Sequence, residues 1–200
     1  VAEQGKGSEM KGLPPGKPGV VRESYDVRSK SKGIWRDEVY KVLHGKEVLV
    51  ENLGWQSNLI VVGMTKLLAG LMKNEPSFTG GILQHAQGRG LPSFDTVLPV
   101  PSFNSVQLTD EYFRKAPDSI SYVDNAGNPS IPITNSILIR TTLDFNEANG
   151  VSGEFIREQG IYGGDATGVT NSGLLANLIF HKARFKDASV KIIRFIQFIF

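Results

Sequence analysis

The chain has 200 residues, enough for one domain of ordinary size, or one domain and an arm. It holds no cysteine, which excludes disulfides and thiolate metal sites, and its net charge of +2 is too small to imply a nucleic-acid partner for the whole chain. Only 21% of residues are charged while Gly (22), Pro (10) and Phe (11) are plentiful, a mix that favours strands and turns over long helices.

Residues 1–35 differ in character from the rest of the chain. They are rich in Gly, Pro, Lys and Ser, carry seven Lys/Arg against four Asp/Glu, and show no apolar period. Such a stretch cannot bury enough apolar surface to fold alone. It reads as a flexible tail or as an extended N-terminal arm laid on a neighbouring subunit, with residues 36–200 forming a single domain. No apolar h-region opens it, so no secretory signal is expected. Its "GLPPGKPG" fails as a phosphate loop, because the first glycine stands too close, Pro18 occupies the Ser/Thr position and no strand precedes it.

"DEVYKVLHGKEVLVEN" predicts a β-hairpin around His44-Gly45-Lys46, with Gly45 at a left-handed position. "WQSNLIVVGMTKLLAGLMKN" predicts a short amphipathic helix capped by Ser57 or Asn58. Its stripe is Ile60, Met64, Leu67, Leu68 and Leu71, and Lys73 suits the end of the helix dipole. The polar face is not notably basic, so packing on a sheet is expected rather than a membrane surface. Residues 76–118 hold a strand in "GGILQHAQGRG", a proline-broken loop in "LPSFDTVLPVPSFN" and an edge segment in "VQLTDEYFRKAP". A loop of that length in a compact domain usually serves function or an interface.

From residue 119 a β pattern takes over. Ser119–Val123 and Ile131–Ile133 flank the turn "DNAGNPS" and predict two strands. "NSILIRTTLDF" alternates, with Ile137, Ile139, Thr141, Leu143 and Phe145 on one face. "EFIREQGIYGG" is the next strand, and a Gly-rich loop runs to Gly173. The closing "GLLANLIFHKARFKDASVKIIRFIQFIF" is too often interrupted by His181, Lys182, Arg184, Lys186, Asp187, Lys191 and Arg194 to span a membrane as a helix. Its β-branched and aromatic residues instead predict two central antiparallel strands, 174–185 and 190–200, joined by a tight turn. Several strands, Gly/Asn turns and one short helix give a mainly β fold, a β-sandwich of jelly-roll-like type.

Chemistry is sparsely signalled. His44, His85 and His181 lack metal-ligand spacing and read as turn or surface residues. There is no G-x-S-x-G elbow and no thiol nucleophile. Glu154, Arg157, Glu158 and Asp165 are charges on or beside a strand that otherwise looks core-like. They suggest cross-strand ion pairs before acid–base work or calcium. Lys182, Arg184, Lys186, Lys191 and Arg194 could form a basic stripe, but no aromatic platform accompanies them. Trp35, Trp55, Phe94, Phe103 and Tyr112 are the aromatics that a glycan- or receptor-binding module would need to expose. No catalytic residue, cofactor or metal is expected.

Three segments together carry a resemblance. They are "GKEVLVENLGWQSNLIVVGMTKLLAGLM", "ILQHAQGRGLPSFDTVLPVPSFNSVQLTDEYFRK" and "EANGVSGEFIREQGIYGGDATGVTNSGLLANLIFHKARFKDASVKIIRFIQFIF". They resemble a family of phage and phage-tail-like, contractile-injection virion structural proteins of baseplate, collar or tail-fibre-attachment type. In that pattern a hairpin leads into an N-L-(I/V)-V…L-L-A-x-L helix, then an A-x-G-x-G turn, then an R-E-F-G-L-F-G strand. Gln159 departs from it, standing where an aromatic or hydrophobic residue is usual, and Asn177-Leu178-Ile179 replaces a basic residue after Ala. The resemblance covers about residues 37–200 and implies a non-enzymatic virion component, assembled in many copies. Other virion or tail proteins and copies of itself would be its partners, the N-terminal arm contacting neighbours, with no membrane and no nucleic acid expected.

Overall fold

The computed structural model describes residues 31–124 and 126–200. Residues 1–30, on which most of the expected arm falls, lie outside the described residues. The first strand begins at Lys32, within the stretch read as arm.

The fold is mainly β, with one α-helix among the described residues. Strands β1 (Lys32–Leu43), β2 (Lys46–Asn52) and β3 (Gln56–Ile60) precede helix α1 (Val62–Lys73). Strands β4 (Gly80–Gly88), β5 (Glu111–Lys115), β6 (Ser119–Tyr122), β7 (Ser136–Leu143), β8 (Glu154–Gly164), β9 (Leu174–Lys186) and β10 (Val190–Ile199) come after it. All pairings are antiparallel along one path, β5-β4-β8-β9-β3-β1-β10-β7-β6, with β2 attached to β1. The path curls at β3, whose first residues pair with β1 and whose last two pair with β9. Two wings thereby face each other. Trp35, Ile139, Ile196 and Phe198 of one wing pack against Ile161, Ala176 and Ile179 of the other, with Met64 and Leu67 of α1 closing that end. A second cluster joins Val39, Leu143 and Ile192 to Ile156 across the same gap. The terminal strands β5 and β6 are consecutive in the chain but do not pair with each other, so the path stays open.

The β1–β2 hairpin forms as expected. His44 (φ 51) and Gly45 (φ 74) are both left-handed, the two-residue turn whose twist suits paired strands. The helix starts later than its apolar stripe suggests. Gln56–Ile60 is strand, because those residues meet partners on β1 and β9, and tertiary pairing overrides local propensity. Neither Ser57 nor Asn58 caps α1; the N-cap is Val61, without a side-chain bond. The amides of Val61 and Val62 instead donate to the carbonyls of Ala176 and Phe103. Gly63 lets the helix approach the sheet, since a Cβ there would sit 1.9 Å from the Leu175 carbonyl oxygen.

Two expected pairings do not occur. Ile131 and Ile133 belong to an exposed loop, and only an isolated bridge, Val123 to Pro129, spans the turn. Strands β9 and β10 both exist and are both central, yet they do not pair with each other. β9 lies between β8 and β3, and β10 between β1 and β7, so neither has an edge left. The Asp187–Ser189 turn is an arch that carries the chain from one wing to the other, and Asp187 stabilises it by accepting from the amide and hydroxyl of Ser189.

Candidate functional site

The charges on β8 face the loops that cover its outer side. Arg157 donates from Nε and Nη2 to Asp95 (3.1 and 2.8 Å) and from Nη1 to the Arg89 carbonyl. Asp95 also accepts the Ala183 amide, and the Arg157 hydrogen bond is the first cause holding its carboxyl below the ordinary range. Glu158 is fully buried and accepts the backbone amides of Thr109 (3.0 Å) and Asp110 (2.7 Å). Glu154 accepts from Arg89 Nε at 2.8 Å. Under this clasp Leu108, Tyr162, Ala86 and Leu178 form an apolar layer outside the sheet. The next loop is held likewise: Arg114 grips Glu111, and reaches the carbonyls of Thr167 and Ser172. Three of the four candidate charges, Glu154, Arg157 and Glu158, are thus anchors for loops, and Asp165 is exposed. Among the described residues no three His, Cys, Asp or Glu side chains gather in a way that could hold a metal ion.

The histidines divide differently from the surface placement expected of them. His44 is in the hairpin turn, but His85 and His181 are buried between the wings. Asp37 and Arg194 are cross-strand neighbours, as are Arg194 and Thr141, so a polar row crosses one wing between its two apolar clusters. From the opposite wing Arg184 Nε reaches Asp37 Oδ2 at 3.3 Å, and Arg194 Nη2 reaches the same oxygen at 3.5 Å. His181 donates from Nδ1 to the Lys182 carbonyl and presents Nε2 to Arg194. His85 Nε2 lies 2.9 Å from Gln159 Oε1. Gln159, the departure from the resembled pattern, therefore has a buried polar neighbour. Burial, then Arg194, push His85 down to about 3 and His181 well below its ordinary value. Burial pushes the Asp37 carboxyl up, against the pull of Arg194 and Arg184. The basic stripe also dissolves: Arg194 and Lys186 are buried, and Lys191 pairs with Glu47.

The β1–β2 hairpin carries exposed apolar side chains among its charges. Val42, Leu43, Val48, Leu49 and Val50 of the hairpin are 38–50% exposed. Leu43 continues the core-facing side of β1 beyond Val39, past the reach of the opposite wing. Below the hairpin a groove of about 760 Å³ is lined by Val50, Leu53, Leu98, Phe185 and Val190, with Arg184 bridging to Glu51. The rings of Phe155 and Phe185 pack 5.1 Å apart beside it, both still nearly half exposed. The aromatics required by a glycan platform are scattered. Trp35 and Phe94 are buried, Tyr112 is half-buried with its hydroxyl on the Ala148 carbonyl, and Trp55 stacks under Arg36. Phe103 lines a different groove, beside α1.

No protein-family model matches the chain, and no curated protein matches it in sequence. Alternation in β1 and β10 carried a single signal for the polar row, since Asp37 and Arg194 stand at inward positions between apolar ones. Nothing in the sequence shows that those positions face each other.

Proposed function

We propose that this chain is a non-enzymatic structural subunit of a bacteriophage or phage-tail-like particle, assembled in multiple copies at the tail, collar or baseplate. The observation that carries this reading is the uncovered apolar surface of the β1–β2 hairpin and the groove beneath it. Exposed apolar side chains on both faces of a hairpin, beside an apolar groove, mark a contact waiting for a partner. The commitment of Glu154, Arg157 and Glu158 to loop anchoring leaves the β8 charges to structural work, and the resemblance in segments 45–72, 82–115 and 147–200 supports the particle class. In this reading the wings β5-β4-β8-β9 and β1-β10-β7-β6 are the two four-stranded halves of a jelly-roll-like sandwich. Residues 1–31, ahead of β1, act as an arm on neighbouring subunits, their ordering cost offset on assembly. The protein then resides in the virion after assembly in the bacterial cytoplasm.

Light scattering on the full chain and on a chain lacking residues 1–31, which keeps all of β1, tests this. A defined oligomer that weakens or dissociates without the arm is expected. A monodisperse monomer in both forms, with or without candidate particle proteins added, would overturn it.

A further inference from the structure

The end of β9 meets the turn between β7 and β8 through a buried amine. Lys186 is 0% exposed, and its Nζ lies 2.6 Å from Oδ1 of Asn149 and 2.9 Å from the Asp187 carbonyl oxygen. The turn that carries Asn149 is held from several sides. Asn149 Nδ2 donates to the Phe145 carbonyl at 2.7 Å, and Tyr112 donates its hydroxyl to the neighbouring Ala148 carbonyl at 3.0 Å. Lys115 binds both carboxylate oxygens of Glu147. The ring of Phe185 occupies the space over Gly153, so the turn and the strand end are packed together. Amine and amide carbonyl are therefore presented to each other on fixed mounts, the condition under which an intramolecular reaction outruns its bimolecular counterpart.

We propose that Lys186 and Asn149 join in an intramolecular isopeptide bond, tying β9 covalently to the β7–β8 turn. The lone pair of the neutral amine attacks Cγ of Asn149, and the Cγ–Nδ2 bond breaks. One Nζ proton is transferred to Nδ2, which leaves as ammonia. The product is a secondary amide plus ammonia, with no change of oxidation state and no co-reactant. The reaction needs an uncharged amine, and burial raises the uncharged share by lowering Lys186 to about 8, against Asp187, Asp144 and Glu147, which pull it up. The last two carboxylates belong to the same turn and act on the amine through their charge. Shelter from water also protects the bond once made.

The test is the intact mass of the folded full-length chain, with tandem mass spectrometry of its peptides. The expected mass is about 17 Da below the sequence value, the loss of one ammonia, with a branched peptide linking positions 149 and 186. Lys186→Arg and Asn149→Ala should each restore the full mass, and Asn149→Asp should lose about 18 Da as water instead. The wild-type measurement stands even if a variant folds poorly. A full mass after prolonged incubation at pH 8 would overturn the proposal. So would a deficit that persists in Lys186→Arg, since a succinimide between Asn149 and Gly150 has the same mass.

Discussion

Nη1 of Arg194 lies 3.4 Å from Nε2 of His181, so a permanently charged guanidinium and an imidazole from the opposite wing share one buried site. The geometry is favourable only while the imidazole is neutral and accepts. His85, also near Arg194, is under the same restriction. Other charges around this site are Asp37 on β1 and Arg184 on β9, with Arg157 on β8 also acting on His181. Both histidines have folded values depressed below the ordinary 6.5, so the unfolded chain takes up more protons as pH falls. Stability is then fully present above pH 6.5 and is lost below it, by up to about 1.4 kcal/mol per pH unit for each histidine. Urea midpoints at pH 7.5, 6.0 and 5.0 should fall in order. His85→Gln should flatten the dependence, and a midpoint constant from 7.5 to 5.0 would contradict it.

Glu158 passes directly over Gly88. A Cβ on Gly88 would sit 2.4 Å from Oε1 and 2.5 Å from Cγ of that side chain. Gly88→Ala must therefore displace a buried carboxylate that holds the amides of Thr109 and Asp110. We expect a loss of about 1–3 kcal/mol, the cost of leaving buried groups unsatisfied. Thermal unfolding should show it, together with new protease cuts between Val97 and Leu108. An unchanged melting temperature would mean that Glu158 has another place to go.

Strands are legible in the sequence wherever one wing face or both faces are apolar. β4, β7 and β8 fall where alternation or continuous apolar runs put them, while β1 begins at Lys32, inside the stretch whose composition reads as an arm. The start of α1 is not legible, because Gln56–Ile60 is strand only through its partners on β1 and β9. The separation of β9 from β10 is hidden for a related reason. Adjacent apolar strands with a short polar link look alike whether the link is a hairpin or an arch, and the choice rests on which distant strands fill the edges. Of the site, the β8 charges can be seen but not their partners. Arg157 finds Asp95 and Glu158 finds backbone amides, at separations of 62 and 49 positions, which periodicity cannot reach. The burial of His85 and His181 is hidden in the same way.

The Arg157–Asp95 grip fastens the loop after β4 to β8 and, through the Ala183 amide, to β9. Asp95 is itself solvent-exposed, so the contact should control local opening more than global stability. Arg157→Met should speed hydrogen exchange and proteolysis across residues 91–100 while leaving the β1–β10 pairing protected. Because the Asp95 carboxyl lies below its ordinary value, this protection holds near neutrality and weakens as pH falls through that depressed value. Equal exchange in the variant and the parent chain would show that the loop is held by Phe94 against Phe180 instead.

Leu43 and Leu49 stand on opposite faces of the exposed hairpin, near its tip, and neither contributes to the clusters between the wings. Replacing both by Lys should therefore leave the stability within about 0.5 kcal/mol of the parent, as for surface changes away from packed contacts. If the hairpin is an assembly contact, the same change should abolish or weaken the oligomer, because two charges would have to be desolvated at the interface. Light scattering and thermal unfolding on one sample separate the two effects. A lost oligomer at unchanged stability assigns the contact to the hairpin. An intact oligomer places it elsewhere, and a large fall in melting temperature would mean that the hairpin tip supports the fold itself.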